Sequence, residues 1–191
     1  MATNTFRSNL ESYQLLAPDS ILSLCELCQE KVVPKNIHLL KSGSIPNYYY
    51  YVEKGLFAYY YITDNGEKII KKFFPENTFI ASSSALLTKT PSNFAIQALE
   101  DSVVFTISAD QFAQLVKERH DIALFYIKYL EKNWVIEKEM MEVSTKSDDA
   151  KIRYTDFLTS HASIINRLKQ HHIASYLGIT PTQLSRIKLK H

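Results

Sequence analysis

The feature that most constrains the fold is a glycine near the end of the chain. Gly178 divides two short amphipathic stretches in Gln170-His-His-Ile-Ala-Ser-Tyr-Leu-Gly-Ile-Thr-Pro-Thr-Gln-Leu-Ser-Arg-Ile-Lys188. Ile173, Ala174 and Leu177 fall at helical spacing, and glycine takes the left-handed conformation that ends a helix. Thr180-Pro181-Thr182-Gln183 then starts another. Thr180 accepts from a free backbone N–H, Pro181 lacks an N–H where none is needed, and Gln183 reaches back to close a capping box. Leu184 and Ile187 face inward, which leaves Thr182, Gln183, Ser185, Arg186 and Lys188 outside. The pattern is a helix-turn-helix with a polar, basic second helix, the shape that enters a DNA major groove. The competing reading is a helical hairpin that closes an α-rich domain.

Charge supports the first reading. Of the 22 Lys+Arg and 20 Asp+Glu in 191 residues, the segment 146–191 holds 8 cations against 3 anions, a balance of +5, and the rest carries −3. The basic part coincides with the helix pair, as phosphate attraction requires. Hydrophobic content of 46% and only four glycines point to real cores without long linkers. Two cysteines make no disulfide framework, and no apolar run resembles a signal peptide or membrane span, so a reducing cytoplasm is expected.

Upstream, residues 19–32 are expected to be helical, capped by Asp19 or Ser20, with Ile21, Leu24, Cys25, Cys28 and Val32 as its apolar stripe and Pro34 as its stop. Strands are expected at 37–40, 48–52, 56–62, 68–74 and 103–107, with Asp64-Asn65-Gly66 as a hairpin turn. Strands so short and closely spaced imply a small antiparallel barrel or sandwich. The tyrosine runs 48–51 and 59–61 are read as packing on alternate strand faces. Ser108-Ala-Asp-Gln111 is a second capping-box signal and opens a helical region. A long helix is expected over 121–143. Ile122, Tyr126, Tyr129, Asn133, Ile136, Met140 and Val143 follow a 4-3 spacing and are assigned to a dimer seam. A second stripe, Ala123, Ile127, Leu130, Trp134 and Met141, lies beside it. One stripe covers the barrel and the other meets a second chain, unless both bury within one chain. The polar segment 144–149 is the expected hinge, and Ile152, Tyr154, Phe157 and Leu158 mark a helix beneath the helix-turn-helix.

In this order the parts resemble the Crp/Fnr family of bacterial transcription regulators, over nearly the whole chain. The residues that carry the resemblance are 173–187, Glu53-Lys-Gly55 with the Asp64-Asn-Gly66 turn, and Leu99-Glu-Asp-Ser-Val-Val-Phe105. The resemblance implies an α+β fold: an N-terminal antiparallel β-roll with flanking helices (1–120), a long dimerisation helix (121–143), a hinge (144–149) and a C-terminal helix-turn-helix domain (150–191). It implies a homodimer on double-stranded DNA, activating or repressing transcription. Thr180 looks like the start of the recognition helix, and Pro181, Thr182 and Arg186 fall where the family places base-reading side chains. Arg186 keeps the family's arginine, suited to bidentate contact with guanine. Pro181 and Thr182 replace an arginine and a glutamate, so the operator does not carry over. No β-hairpin wing follows within these residues, so wing contacts to phosphate are expected to be missing.

The effector site departs further. Cyclic-nucleotide-binding members carry a glutamate for the ribose and an arginine for the cyclic phosphate. The aligned residues here are Phe79-Ile-Ala-Ser-Ser-Ser-Ala-Leu86 and Pro91-Ser-Asn-Phe-Ala95, which contain neither. Burying a phosphate without a cation is costly, so cyclic AMP bound in the usual way is not expected. Ser82, Ser83, Ser84, Ser92 and Asn93 are candidates to line a pocket for an unidentified small-molecule effector, or are loop residues with no ligand. No cofactor or metal is expected: an iron–sulfur cluster needs four cysteines, and Cys25 and Cys28 sit on an apolar helix face. His38 is the only barrel histidine, too few for a cupin-type metal enzyme, and no catalytic residues are assigned. The alternative function is a ligand-binding signalling protein whose basic helical tail docks a protein partner.

Overall fold

Strand residues with apolar side chains on both faces need cover on both sides, and the architecture supplies it. The computed structural model describes residues 4–136, Glu139 and 149–189. Its strands are β1 (Gln29–Val33), β2 (His38–Leu40), β3 (Tyr48–Lys54), β4 (Phe57–Ile62), β5 (Lys68–Phe74), β6 (Phe79–Ile80), β7 (Phe94–Ala98) and β8 (Ser102–Ser108). They form two four-stranded antiparallel sheets, ordered β1-β8-β3-β6 and β2-β7-β4-β5. The helices are α1 (Asn4–Glu11), α2 (Pro18–Glu26), α3 (Ser83–Thr88), α4 (Ala109–Glu118), α5 (His120–Leu130), α6 (Ala150–Ser160), α7 (Gln170–Leu177) and α8 (Pro181–Leu189).

Three cores follow from the strand alternation. Phe57 and Tyr59 of β4 point between the sheets, beside Tyr50, Val52, Phe74, Ile80, Ile96 and Val104. Ala58 and Tyr60 point the other way, onto a core shared with Tyr154, Phe157, Ile164, Leu168, Ile173, Leu177 and Leu184 of the C-terminal helices. A bulge near Tyr59 and Tyr60 pairs Ala58 with Phe73 and Tyr60 with Ile70, which puts Ile70 and Phe73 on that outer face too. On the opposite sheet, Tyr51, Phe105 and Ile107 meet Phe6, Leu10, Leu24, Phe112, Leu115, Ile122 and Phe125 from α1, α2, α4 and α5. The order through the molecule is helices, sheet, sheet, helices.

Lys68–Phe74 forms a strand with the expected bounds, and the hairpin at Asp64-Asn-Gly66 is present, with Gly66 at φ 80° and its N–H on the Thr63 carbonyl. The first long helix is corrected. It runs only from Pro18 to Glu26 behind Ala17, so neither Asp19 nor Ser20 caps it. Residues 29–33 pair as β1 with β8 instead, and Val32 stands 68% exposed. Long-range pairing overrides local periodicity there. Helix α4 starts behind Ser108 as expected, but the Ser108 side chain makes no cap bond.

The expected helix over 121–143 is α-helical to Leu130 and then winds in the wider π form from Glu131 to Ile136. Asn133 Nδ2 donates to the Tyr129 carbonyl at 2.9 Å, the acceptor that an α-helical ladder would give the Asn133 backbone. Of the 4-3 stripe expected to form a dimer seam, the first four positions meet their own chain. Ile122 is fully buried within its own chain. The Tyr126 hydroxyl lies 3.1 Å from that of Tyr49, Tyr129 donates to the Phe79 carbonyl at 3.3 Å, and Asn133 donates to the Tyr13 hydroxyl at 3.2 Å. Their polar tips find partners on the barrel and on the turn after α1, so the stripe faces inward from Ile122 to Asn133. Ile136 is 55% exposed, and Met140, Val143 and hinge positions 144–148 lie outside the described residues. Among the described residues no helix is long and apolar enough to cross a membrane.

Candidate nucleic-acid interface and effector pocket

The C-terminal helix pair is built by local chemistry. Asp149 caps α6, accepting from the backbone N–H groups of Lys151 and Ile152 at 2.8 and 2.9 Å. Helix α7 ends at Gly178, whose φ of 65° is left-handed. The Ile179 N–H reaches the Ala174 carbonyl at 3.0 Å and the Gly178 N–H reaches that of Ser175 at 3.3 Å, the two bonds of a Schellman cap. The capping box at α8 forms in both directions. The Gln183 N–H donates to Thr180 Oγ1 at 3.2 Å, and the Thr180 N–H donates to Gln183 Oε1 at 2.9 Å. Gln183 is therefore engaged in holding its own helix.

Leu184 is fully buried and Ile187 half-buried, which fixes the rotation of α8. Thr180, Pro181, Thr182, Gln183, Ser185, Arg186 and Lys188 are all exposed. Arg186 and Lys188 occupy the last turn, where cations also suit the helix dipole. Lys190 lies outside the described residues.

At the entrance to α7, His172 is the perturbed group. Its Nδ1 is buried and finds no hydrogen-bond partner among the described residues. Burial first, then the charges of His171, Lys169, Lys68 and Lys35, push its pKa down to about 4. The folded state thus keeps the ring neutral, while the unfolded chain titrates near 6.5. Its contribution is complete above pH 6.5 and is lost as pH falls from there through about 4. For a half-exposed ring this amounts to on the order of 1 kcal/mol. Urea midpoints at pH 7.5 and pH 5 are expected to differ less in His172→Gln than in the parent; equal differences would remove the assignment.

The five effector candidates separate. Ser82 and Ser92 are each 1% exposed and meet at 2.8 Å between hydroxyls. The Tyr59 hydroxyl lies 3.1 Å from Ser82 Oγ, and Ser92 Oγ donates to the Phe94 carbonyl at 2.9 Å while accepting its N–H at 3.0 Å. One proton arrangement satisfies them all: Tyr59 to Ser82, Ser82 to Ser92, Ser92 to the Phe94 carbonyl. The Tyr59 ring stacks on Phe94 at 4.6 Å, and Lys71 Nζ stands 5.0 Å from the Phe94 ring centre. Ser83 is buried at the start of α3, whereas Ser84 and Asn93 are exposed. The two buried serines beside α3 are thus engaged by the chain's own groups, with Tyr59 and Phe94 packed next to them. Tyr59 and Phe94 were not among the sequence candidates. The signal was there, because Tyr59 is an inward position in a run of three tyrosines.

Both cysteines pack against the core beneath α1, α2, α4 and α5, Cys25 from α2 and Cys28 just beyond its end. Burial raises the Cys28 thiol to about 12, and its Sγ points at the Leu24 carbonyl at 3.4 Å. His38 Nε2 lies 2.9 Å from the Tyr60 hydroxyl. Among the described residues no group of three or more His, Cys, Asp or Glu is arranged to hold a metal ion.

Comparison with known proteins agrees with this architecture. Residues 30–119 match the family described as the cyclic nucleotide-binding domain. FixK2 from Bradyrhizobium japonicum superposes with a TM-score of 0.72 at 17% identity, covering 85% of this chain and 83% of that one. The c-di-GMP-responsive global regulator CLP of Xanthomonas campestris also gives 0.72, at 12% identity over 91% of each chain. The catabolite activator protein of Thermus thermophilus gives 0.59 at 16% identity, covering 95% of this chain and 85% of its own. Residues 30–119 therefore have the fold of a cyclic nucleotide-binding domain, in a chain whose overall fold is similar to those of these three regulators.

Proposed function

We propose that the protein is a homodimeric, sequence-specific DNA-binding transcription regulator of the Crp/Fnr type, acting in the cytoplasm. The observation that carries this reading is α8: a doubly capped helix, anchored by Leu184, that presents Thr182, Ser185 and Arg186 to solvent. Likeness of fold to FixK2 and the catabolite activator protein supports it. Helices α7 and α8 form the helix-turn-helix, and α8 enters the major groove. Thr180 and Lys188 contact phosphate, Pro181 and Thr182 meet base edges, and Arg186 reads a guanine. Gln183 serves the capping box first. The functional division is a β-roll over 1–120, a dimerisation helix over 121–143, a hinge at 144–149 and a reader over 150–191.

The dimer forms through the outward stripe of the long helix, Ala123, Ile127, Leu130 and Trp134, with the inward stripe committed to the barrel. Two reading helices about 34 Å apart then address successive major grooves of a palindromic site. The β-roll does not take a cyclic nucleotide in the usual way. The residues around α3 offer neither the ribose carboxylate nor the phosphate arginine, and Tyr59 and Phe94 hold the hydroxyls of Ser82 and Ser92. An effector of other chemistry would have to displace the Tyr59 ring.

The test is selection of bound fragments from genomic DNA followed by binding at several salt concentrations. Arg186→Ala is expected to relax base preference at one position of each half-site and to weaken the best site by about tenfold or more. Lys188→Ala is expected to weaken all DNA alike and lower the salt slope by about one. If no DNA pool yields a salt-sensitive complex, the reading fails.

A further inference from the structure

The C-terminal helices do more than follow the barrel: they close their core on it. Tyr154, Phe157, Ile173, Leu177 and Leu184 bury against Leu56, Ala58, Tyr60, Ile70 and Phe73, the outer face of the β2-β7-β4-β5 sheet. Two polar devices sit on this contact. Ser175 of α7 accepts the Ile70 N–H at 3.0 Å and donates to the Lys68 carbonyl at 2.5 Å, so it takes one donor and one acceptor of the edge strand β5. Arg167, just before α7, spans two carboxylates from different loops. It holds Glu76 through Nη1 and Nη2, each at 2.9 Å, and Glu100 through Nη2 at 2.5 Å and Nε at 3.3 Å. Glu76 in turn accepts the Gly55 N–H at 2.8 Å.

We propose that Arg167 is a positioning residue for DNA reading: its double fork on Glu76 and Glu100 sets the angle of α7 and α8 on the β-roll, and so the spacing between the two reading helices of a dimer. This rests on the DNA-reading function proposed above. The physical ground is geometric. A flat apolar contact tolerates sliding, because its energy depends on area and not on direction. A planar guanidinium forked onto two carboxylates does not, since each fork has one productive orientation. The forks lie at one end of the contact and Ser175 at another, and two separated directional fixings stop both translation and rotation. The carboxylates come from the β5–β6 and β7–β8 connections, which the barrel itself holds. Arg167 is 28% exposed and touches no DNA-facing residue of α8 in these contacts, so its effect on DNA passes through orientation. The spacing of the reading helices is then a property of the barrel surface and not only of the hinge.

The experiment uses the full chain and three variants: Arg167→Ala, Arg167→Lys and Glu76→Gln/Glu100→Gln. Two readouts are taken. Hydrogen exchange at the Ile70 amide reports docking without DNA. Affinity for two-half-site DNA with spacers varied in single base pairs reports positioning, and a single half-site serves as reference. The parent is expected to protect the Ile70 amide and to prefer one spacer. Arg167→Ala and the double glutamine variant are expected to lose about tenfold of spacer discrimination while half-site affinity changes by less than about threefold. Arg167→Lys keeps the charge without the fork and is expected to resemble Arg167→Ala in discrimination. Unchanged discrimination in all three variants overturns the proposal, as does rescue by lysine, which would leave only a charge effect. If the parent itself binds no specific DNA, the DNA-reading function fails on its own. Arg167 is then judged by exchange alone: faster Ile70 exchange in Arg167→Ala keeps the clamp, and unchanged exchange removes it. A variant that fails to fold is replaced in both readouts by the lysine variant, which preserves charge and volume.

Discussion

Alanine in place of Gly55 is expected to lower the thermal midpoint by on the order of 10 °C, the largest loss among alanine replacements of the four glycines. Gly55 connects β3 to β4 at φ 108°, a backbone region that side chains rarely adopt. A Cβ there would lie 2.0 Å from Ser102 Oγ and 2.8 Å from Ser102 Cα. The second distance matters more, because a hydroxyl can rotate away but the backbone of β8 cannot move without breaking its pairing with β1 and β3. Backbone strain and overpacking together cost roughly 3–5 kcal/mol. The effect also reaches the C-terminal helices. The Gly55 N–H holds Glu76 and Ser102 Oγ donates to the Glu100 carbonyl, so a shift at this turn moves both carboxylates that grip Arg167. Gly43→Ala is the control: φ is 83° but nothing lies within 4 Å of the added carbon. It is expected to cost about 1 kcal/mol. Equal losses in thermal melts of the two variants would refute the steric argument.

Clamp and pH also connect. Burial pushes the Glu76 carboxyl up, but the Arg167 fork, its own backbone and the Gly55 N–H outweigh it and hold the pKa below the usual 4.5. Its stabilisation is therefore present above pH 4.5 and lost as acid takes it below that value. His172 begins to fail earlier, from pH 6.5 downward. Both groups weaken the C-terminal helices in acid, in that order.

Much of the C-terminal helix pair was legible in the sequence because its determinants are local. Gly178, Thr180 and Gln183 act through bonds to neighbours within five residues and Pro181 through its missing N–H, and each was readable from residue type and spacing. The β4–β5 hairpin was readable for the same reason. What local pattern could not convey was pairing at a distance. Residues 29–33 have helical spacing behind a helix, but β8 offers a free edge some seventy residues away and they join it. The two stripes of the long helix posed a similar problem, since spacing identifies stripes but not which one meets the barrel. The clue lay in residue type. Tyr126, Tyr129 and Asn133 carry polar tips that a dry dimer seam would strand, whereas Ala123, Ile127 and Leu130 carry none. In the effector region the absence of glutamate and arginine was plain, but the contact of Tyr59 and Phe94 with Ser82 and Ser92 depended on strand register. The outer cover of β4 was hinted at by Phe57-Ala-Tyr-Tyr60, apolar on both faces, and its partner came from the far end of the chain.

Ile127→Glu is expected to raise the dimer dissociation constant by about 100-fold or more and to remove tight binding to a two-half-site operator. Ile127 is 50% exposed on the face of α5 that turns away from the barrel, with Val135 60% exposed further along and Leu130 and Trp134 half-buried beside them. Exposed apolar side chains grouped along one helix mark a contact surface, and under the proposed function a second copy of the chain covers it. In a two-fold dimer the same helix supplies both sides, so one substitution places two carboxylates against apolar side chains near the axis. Burying each costs several kcal/mol unless it is protonated, and about 1.4 kcal/mol is worth tenfold in affinity. Tyr126→Phe tests the opposite face. It removes only the hydroxyl near Tyr49 and is expected to cost stability on the order of 1 kcal/mol while leaving the dimer intact. Sedimentation velocity on both variants separates the stripes, and half-site affinity checks that α8 stays folded. A parent that is monomeric at micromolar concentration, or a dimer that survives Ile127→Glu and breaks on Tyr126→Phe, would return the interface to the inward stripe or remove it altogether.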